Sequence, residues 1–112
     1  MVADEGQLWM FGGYDGASRN DLWSFDCLLH TWNLVEAATG PSERFSHVAI
    51  QYGEKMWIFG GLSLKGLEND LWTFDLTDHT WMQLQATAQP SARESATAVV
   101  SVGQMWLFGG RP

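Results

Sequence analysis

Met56-Trp57-Ile58-Phe59-Gly60-Gly61 is written into this chain three times. Leu8-Trp9-Met10-Phe11-Gly12-Gly13 precedes it and Met105-Trp106-Leu107-Phe108-Gly109-Gly110 follows it. Each copy is apolar at four successive positions and ends in two glycines. An apolar run this short, bounded by turn residues, reads as a strand buried on both faces. The glycines allow a backbone conformation, or a close approach, that a Cβ would forbid.

The copies are regularly spaced. Phe11 and Phe59 are 48 positions apart (59 − 11), and Phe59 and Phe108 are 49 apart (108 − 59). Other motifs recur in step. Asn20-Asp21-Leu22-Trp23-Ser24-Phe25-Asp26 returns as Asn69-Asp70-Leu71-Trp72-Thr73-Phe74-Asp75. His30-Thr31-Trp32 returns as His79-Thr80-Trp81, and Pro41-Ser42-x-Arg44 as Pro90-Ser91-x-Arg93. Self-similarity at a fixed period of this size marks a repeat architecture. The units run over about 7–54, 55–103 and, in part, 104–112, within a single domain covering 1–112. Every segment between turn signals is strand-like, and no helical period is present.

Together these motifs resemble the Kelch repeat family, over residues 7–110. The resemblance implies an all-β fold, a β-propeller whose blades are four-stranded antiparallel sheets. From hub to rim, it makes the Arg-bearing segment the inner strand and the Gly-Gly strand the second. Asn-Asp-Leu-Trp becomes the third and Thr-Trp the outer. Strands are then expected at residues 8–11, 22–25, 31–35, 45–52, 56–59, 71–74, 80–84 and 95–102. On this reading the ring is incomplete. One full blade, at roughly 45–84, is flanked by a blade without its inner strand and one without its outer two. Propellers close with about 4–8 blades, and repeat units generally need about three neighbours for stability. The open edges lead us to expect self-association or a requirement for further blades.

Composition narrows the function. The formal net charge is −7, with only 6 Lys and Arg. This balance argues against nucleic acid, whose phosphates need clustered cations, and against an anionic membrane surface. Cys27 is the one cysteine, so no intramolecular disulfide is available. No basic and apolar leader opens the chain and no apolar run is long enough to span a bilayer. The expectation is a cytoplasmic protein, with the nucleus as an alternative.

Groups for catalysis are sparse. The seven Trp occupy three repeat positions, which makes packing their first role. His30 and His79 are repeat equivalents, and His47 stands where the next unit has Ala96. Three scattered His and one Cys make no metal-ligand spacing. Ser46-His47 are adjacent, but a nucleophile needs a base and an orienting group in space. Phosphate and calcium loops are absent from the sequence. We therefore expect no enzyme activity, no cofactor and no metal.

The resemblance places partner binding at one end of the ring, in the loops over 14–19, 63–68, 36–46 and 85–95. Loops on a rigid scaffold are where function concentrates. The residues proposed to contact a partner are Tyr14, Arg19, Arg44, Ser46, Arg93 and Ser95. Two readings of Arg44 and Arg93 stay open. They face the central opening and receive acidic partner groups, or they bond turn carbonyls of a neighbouring blade. Tyr14, Phe45 and Tyr52 are the aromatic residues outside the repeat pattern. The expected function is a protein-interaction module that binds a protein partner, an acidic segment being one form of that partner. The alternative is a fragment of a Kelch-domain enzyme or multidomain regulator, such as a ubiquitin-ligase substrate adaptor, whose activity lies outside these residues.

Overall fold

The computed structural model describes residues 1–37 and 39–112; Ala38, within the loop expected over 36–46, lies outside them. Eleven strands and no helix occur among the described residues. β1 (Val2–Asp4), β2 (Gln7–Tyr14), β3 (Ser18–Asp26) and β4 (Thr31–Val35) form one antiparallel sheet in that order. β5 (Arg44–Phe45) and β6 (Val48–Tyr52) both pair with β7 (Lys55–Ser63), which continues to β8 (Gly66–Asp75) and β9 (Trp81–Leu84). β10 (Thr97–Ser101) and β11 (Gln104–Phe108) form a third sheet of two strands. These are successive antiparallel propeller blades, and the sheets do not close into a ring.

The three copies of the apolar stretch are β2, β7 and β11. Period-2 geometry sends alternate side chains to opposite faces of a sheet. Trp9 and Phe11 on β2 are buried against the second blade, where Met56, Ile58 and Phe74 complete the core. Phe11 meets the Trp81 ring edge-on, with centroids 5.0 Å apart, and Trp9 lies 6.0 Å from Phe74. Each such aromatic or aliphatic side chain removed from water contributes roughly 2–3 kcal/mol. Phe108, the third copy of Phe11, is 82% exposed, because among the described residues no further blade covers β11.

The paired glycines have distinct tasks. Gly12 and Gly60 both lie at positive φ, +65° and +67°. A Cβ on Gly12 would sit 2.8 Å from the Arg44 carbonyl oxygen, and one on Gly60 would sit 2.9 Å from that of Arg93. In the first two pairs the first glycine thus accepts the backbone that begins the next blade. The Gly61 amide donates to the Arg93 carbonyl at 3.0 Å. The second glycine makes room within its own blade, since a Cβ on Gly61 would lie 2.9 Å from the Phe45 carbonyl oxygen.

Three expectations are corrected. The first unit does have an inner strand, since Val2–Asp4 pairs with β2 through Val2↔Trp9, Ala3↔Leu8 and Asp4↔Gln7. Among the described residues that blade has no counterpart of the Arg-bearing β5. The inner strand expected over 45–52 is broken in two, because Ser46 takes φ +58° and turns the backbone out of the ladder. Ser95 does the same at +60°. The loops expected over 14–19 and 63–68 are mostly strand. Pairing runs out to Tyr14↔Ser18 and Ser63↔Gly66, leaving turns of only 15–17 and 64–65. Both hairpins carry a bulge at the glycine pair, and the one extra residue of the second unit extends its ladder.

Candidate functional site

Arg44 is the largest fully buried side chain, at 1% exposure. Its five N–H groups are all used within its own blade. Nε donates to the Ser42 carbonyl at 3.1 Å and Nη2 to Ser42 Oγ at 3.1 Å. Nη1 donates to the Gly60 carbonyl at 3.0 Å. Nη1 and Nη2 then form a fork with the two Asp70 oxygens, at 2.6 and 2.9 Å. An arginine has five donors and no acceptor, so Arg44 keeps none for an acidic partner. It corrects both open readings, because it spans the second strand of its own blade to reach the third. Trp72 Nε1 also donates to Asp70 Oδ2, at 2.8 Å. Burial works to raise the Asp70 pKa, but the Arg44 and Trp72 donors outweigh it and hold the carboxyl below its usual range.

Arg93 repeats the first half of this arrangement. Nε donates to the Ser91 carbonyl, Nη2 to Ser91 Oγ and Nη1 to the Gly109 carbonyl, at 3.1, 3.1 and 3.0 Å. No carboxylate completes it among the described residues. At the other end, Asp21 accepts from Trp23 Nε1 at 2.9 Å, as Asp70 does from Trp72, but among the described residues no arginine forms a hydrogen bond or ion pair with it.

The remaining predicted residues gather at the end where the blade hairpins turn. Tyr14 is 63% exposed, and its ring lies 5.0 Å from Phe45, which begins the inner strand of the next blade. Arg19 forms a two-pronged pair with Asp15, at 2.9 and 3.1 Å, across the exposed turn of the first hairpin. That partnership holds the Asp15 carboxyl below its usual range. Ser46 and Ser95 are exposed, and the Ser46 carbonyl accepts the Ser95 amide at 2.9 Å, tying successive inner strands together. Tyr52, weighed with Tyr14 and Phe45, stands at the far end of β6, beside Gly53.

Other sequence readings find their geometry here. His79 and His30 both lie at φ +60° and stack on Phe74 and Phe25, closing the turns between third and outer strands. Asp75 Oδ1 accepts the amides of Thr77 and Asp78, and Asp26 Oδ1 those of Leu28 and Leu29. Cys27 is exposed in the same kind of turn. His47 packs edge-on against Phe11 at 5.6 Å, and its Nδ1 is buried without a hydrogen-bond partner. Burial first, and the nearby positive charge of Arg44 as well, lower its pKa from 6.5 to about 4. Among the described residues, no group of three or more His, Cys, Asp or Glu is placed to hold a metal.

Sequence reasoning did not find Asp70. Its signal was present, since every complete unit carries both Pro-Ser-x-Arg and Asn-Asp-Leu-Trp. Two charges 26 positions apart reveal their pairing only once the strands are laid side by side.

Known proteins share these motifs. Human host cell factor 2 is 41% identical over 56 residues, 49% of this chain and 7% of that protein. Human host cell factor 1 is 38% identical over 56 residues, 49% of this chain and 3% of that protein. Bovine Kelch domain-containing protein 3 is 36% identical over 62 residues, covering 52% of this chain and 16% of that protein. The matched stretches are therefore small parts of these relatives. The family model for the KLHDC2/KLHL20/DRC7 Kelch-repeats domain matches residues 1–112. With its glycine pairs, its Arg–Asp blade clamp and its antiparallel blades, this chain belongs to that Kelch-repeat family.

Proposed function

We propose that this chain is a protein-interaction module and that its partner docks where the hairpin turns of each blade meet the start of the next inner strand. The Tyr14–Phe45 ring pair carries the reading. Both residues depart from the repeat, whose second unit has Leu62 and Glu94 at these positions. Tyr14 is exposed, although an isolated blade has no structural need for an aromatic ring there. Aromatic side chains are favoured anchors of protein interfaces, joining large contact area to a polar tip. Kelch-repeat domains generally serve as protein-interaction modules, which supports the same conclusion. Arg19, Ser46, Ser95 and Arg93 carry donor groups that suit an acidic partner segment. Arg44 supports the site from within by fixing the strand that carries Phe45 and Ser46.

Photo-cross-linking residues at Tyr14 and Ser95, and as controls at Leu28 and Thr77, test this placement. The first pair should capture a protein partner several-fold more efficiently than the second. Equal capture, or capture only at Leu28 and Thr77, refutes it.

A second reading rests on the small share of each relative that this chain covers. The blades are then part of a longer polypeptide, such as a regulator or ubiquitin-ligase substrate adaptor, whose chemistry lies in other segments.

A further inference from the structure

We infer that Asp15-Gly16 is a modification site, where the aspartate converts spontaneously to isoaspartate, and that Arg19 is the positioning residue that restrains the conversion. The sequence singles this pair out. Every other aspartate and asparagine is followed by a residue with a side chain, and only Asp15 by glycine. A glycine leaves its own amide nitrogen open to the carboxyl before it, and its backbone reaches conformations barred to other residues. The structure sets the pair at the tip of the first hairpin. Tyr14 and Ser18 close the ladder, so residues 15–17 form the whole turn. Gly16 takes φ +104°, and a Cβ built on it would meet nothing within 4 Å. Its amide donates no hydrogen bond among the described residues. The second hairpin, which turns at Leu64 and Lys65, has no such pair.

The conversion needs no reagent but water. The Gly16 nitrogen bonds to Asp15 Cγ and loses its proton, and the hydroxyl of the carboxyl leaves with a proton as water. The cyclic succinimide so formed takes water back. Addition at Cγ restores the aspartate. Addition at the Asp15 main-chain carbonyl carbon breaks that carbon's bond to the Gly16 nitrogen. The chain then runs through Cγ, and the former main-chain carbonyl becomes the free carboxylate. One water leaves and one returns. Only the protonated carboxyl has a hydroxyl to expel, and Arg19 opposes its protonation. Nε and Nη2 grip both Asp15 oxygens, at 2.9 and 3.1 Å. This hydrogen bonding, more than any other influence, keeps the carboxyl ionised to lower pH than usual. The hold is partial, because the Arg19 and Asp15 side chains are 52% and 61% exposed and salt screens such pairs. The product lengthens the main chain of the turn by one carbon and shortens the arm that carries the carboxylate to Arg19. Tyr14 is the residue before it, but the chemistry does not depend on the docking reading above.

Peptide mapping of the full 112-residue chain, held folded for several weeks at physiological temperature and neutral pH, tests this. Proteolysis, chromatography and fragmentation distinguish aspartate from isoaspartate at each position, although the mass is unchanged. Isoaspartate should accumulate at Asp15 before any other position. Arg19→Gln should raise the rate there at least threefold. Raised ionic strength should speed the reaction in the unaltered chain and leave the Arg19→Gln rate where it is. Isoaspartate that appears first elsewhere, or never at Asp15, overturns the site. A rate that neither Arg19→Gln nor salt changes overturns the role of Arg19. Should Arg19→Gln fail to fold, the salt dependence of the unaltered chain decides that role alone.

Discussion

The Arg44 guanidinium grips the Asp70 carboxylate in two parallel hydrogen bonds, 2.6 and 2.9 Å long, across the strand that lies between them. The arginine is buried and the aspartate side chain is 16% exposed. Charge burial is costly by itself, but here every arginine donor is satisfied, which makes the pair a device for holding three strands in one register.

Removing one partner should therefore be severe. Asp70→Asn leaves a buried guanidinium facing an amide, and breaking such a pair costs on the order of 3–5 kcal/mol. Asp21→Asn, at the equivalent position without an arginine, should cost less than about 1 kcal/mol. Urea unfolding at one fixed protein concentration measures both. Equal losses would remove the clamp from the account. Because the folded Asp70 pKa is depressed, its stabilisation is present above the ordinary carboxylate pKa and is lost as pH falls through the folded value.

Gly60 and Gly109 are repeat equivalents with nearly the same backbone, φ +67° and +75°. A Cβ on Gly60 would press on the Arg93 and Glu68 carbonyls at 2.9 and 3.1 Å, whereas one on Gly109 meets nothing within 4 Å. Gly109→Ala should cost only the left-handed backbone strain, about 1–2 kcal/mol. Gly60→Ala adds a contact that the backbone relieves only by moving the third blade. Its loss should exceed that of Gly109→Ala by a further ~1–3 kcal/mol. Denaturant midpoints of the two variants give the comparison.

His47 makes stability depend on pH. Its folded pKa of about 4 lies below the ordinary 6.5. Between those values the unfolded chain binds a proton that the folded chain refuses, so this contribution is complete above pH 6.5 and is lost as pH falls towards 4. Below 4 there is no further loss. At ~1.4 kcal/mol per unit the loss is at most roughly 3 kcal/mol. His47→Ala, which places the side chain of Ala96 at this position, should flatten the stability curve over that window. An unchanged slope would assign the pH dependence to other groups.

The exposed blade faces predict association. Trp106 and Phe108 at one end, and the shallow hollow of Met10, Trp23 and Trp32 at the other, are counterparts of residues that pack against each other between the first and second blades. Sedimentation at micromolar concentration should show self-association. Phe108→Ser should weaken it, and Leu28→Ser, on an exposed turn, and Arg93→Gln should leave it intact. A monodisperse, cooperatively unfolding monomer would contradict this.

Much of this structure was legible before folding. Repetition with a period near 50 marked a repeat architecture, and the resemblance to Kelch repeats made the Trp-x-Phe-Gly-Gly copies second strands and Asn-Asp-Leu-Trp the third. The inner strand Val2–Asp4 escaped notice, since three residues carry too little periodicity to read and β2 alone calls for them. The partner of Arg44 was hidden for a related reason. A sequence records that an arginine and an aspartate recur, but whether a charge faces solvent or another charge depends on which strands lie side by side. Folding turned one of two identical motifs into a closed, buried clamp at Arg44 and left the other, at Arg93, with donors to spare. The residues are the same, and the difference lies in whether a neighbouring strand is there to bring the carboxylate.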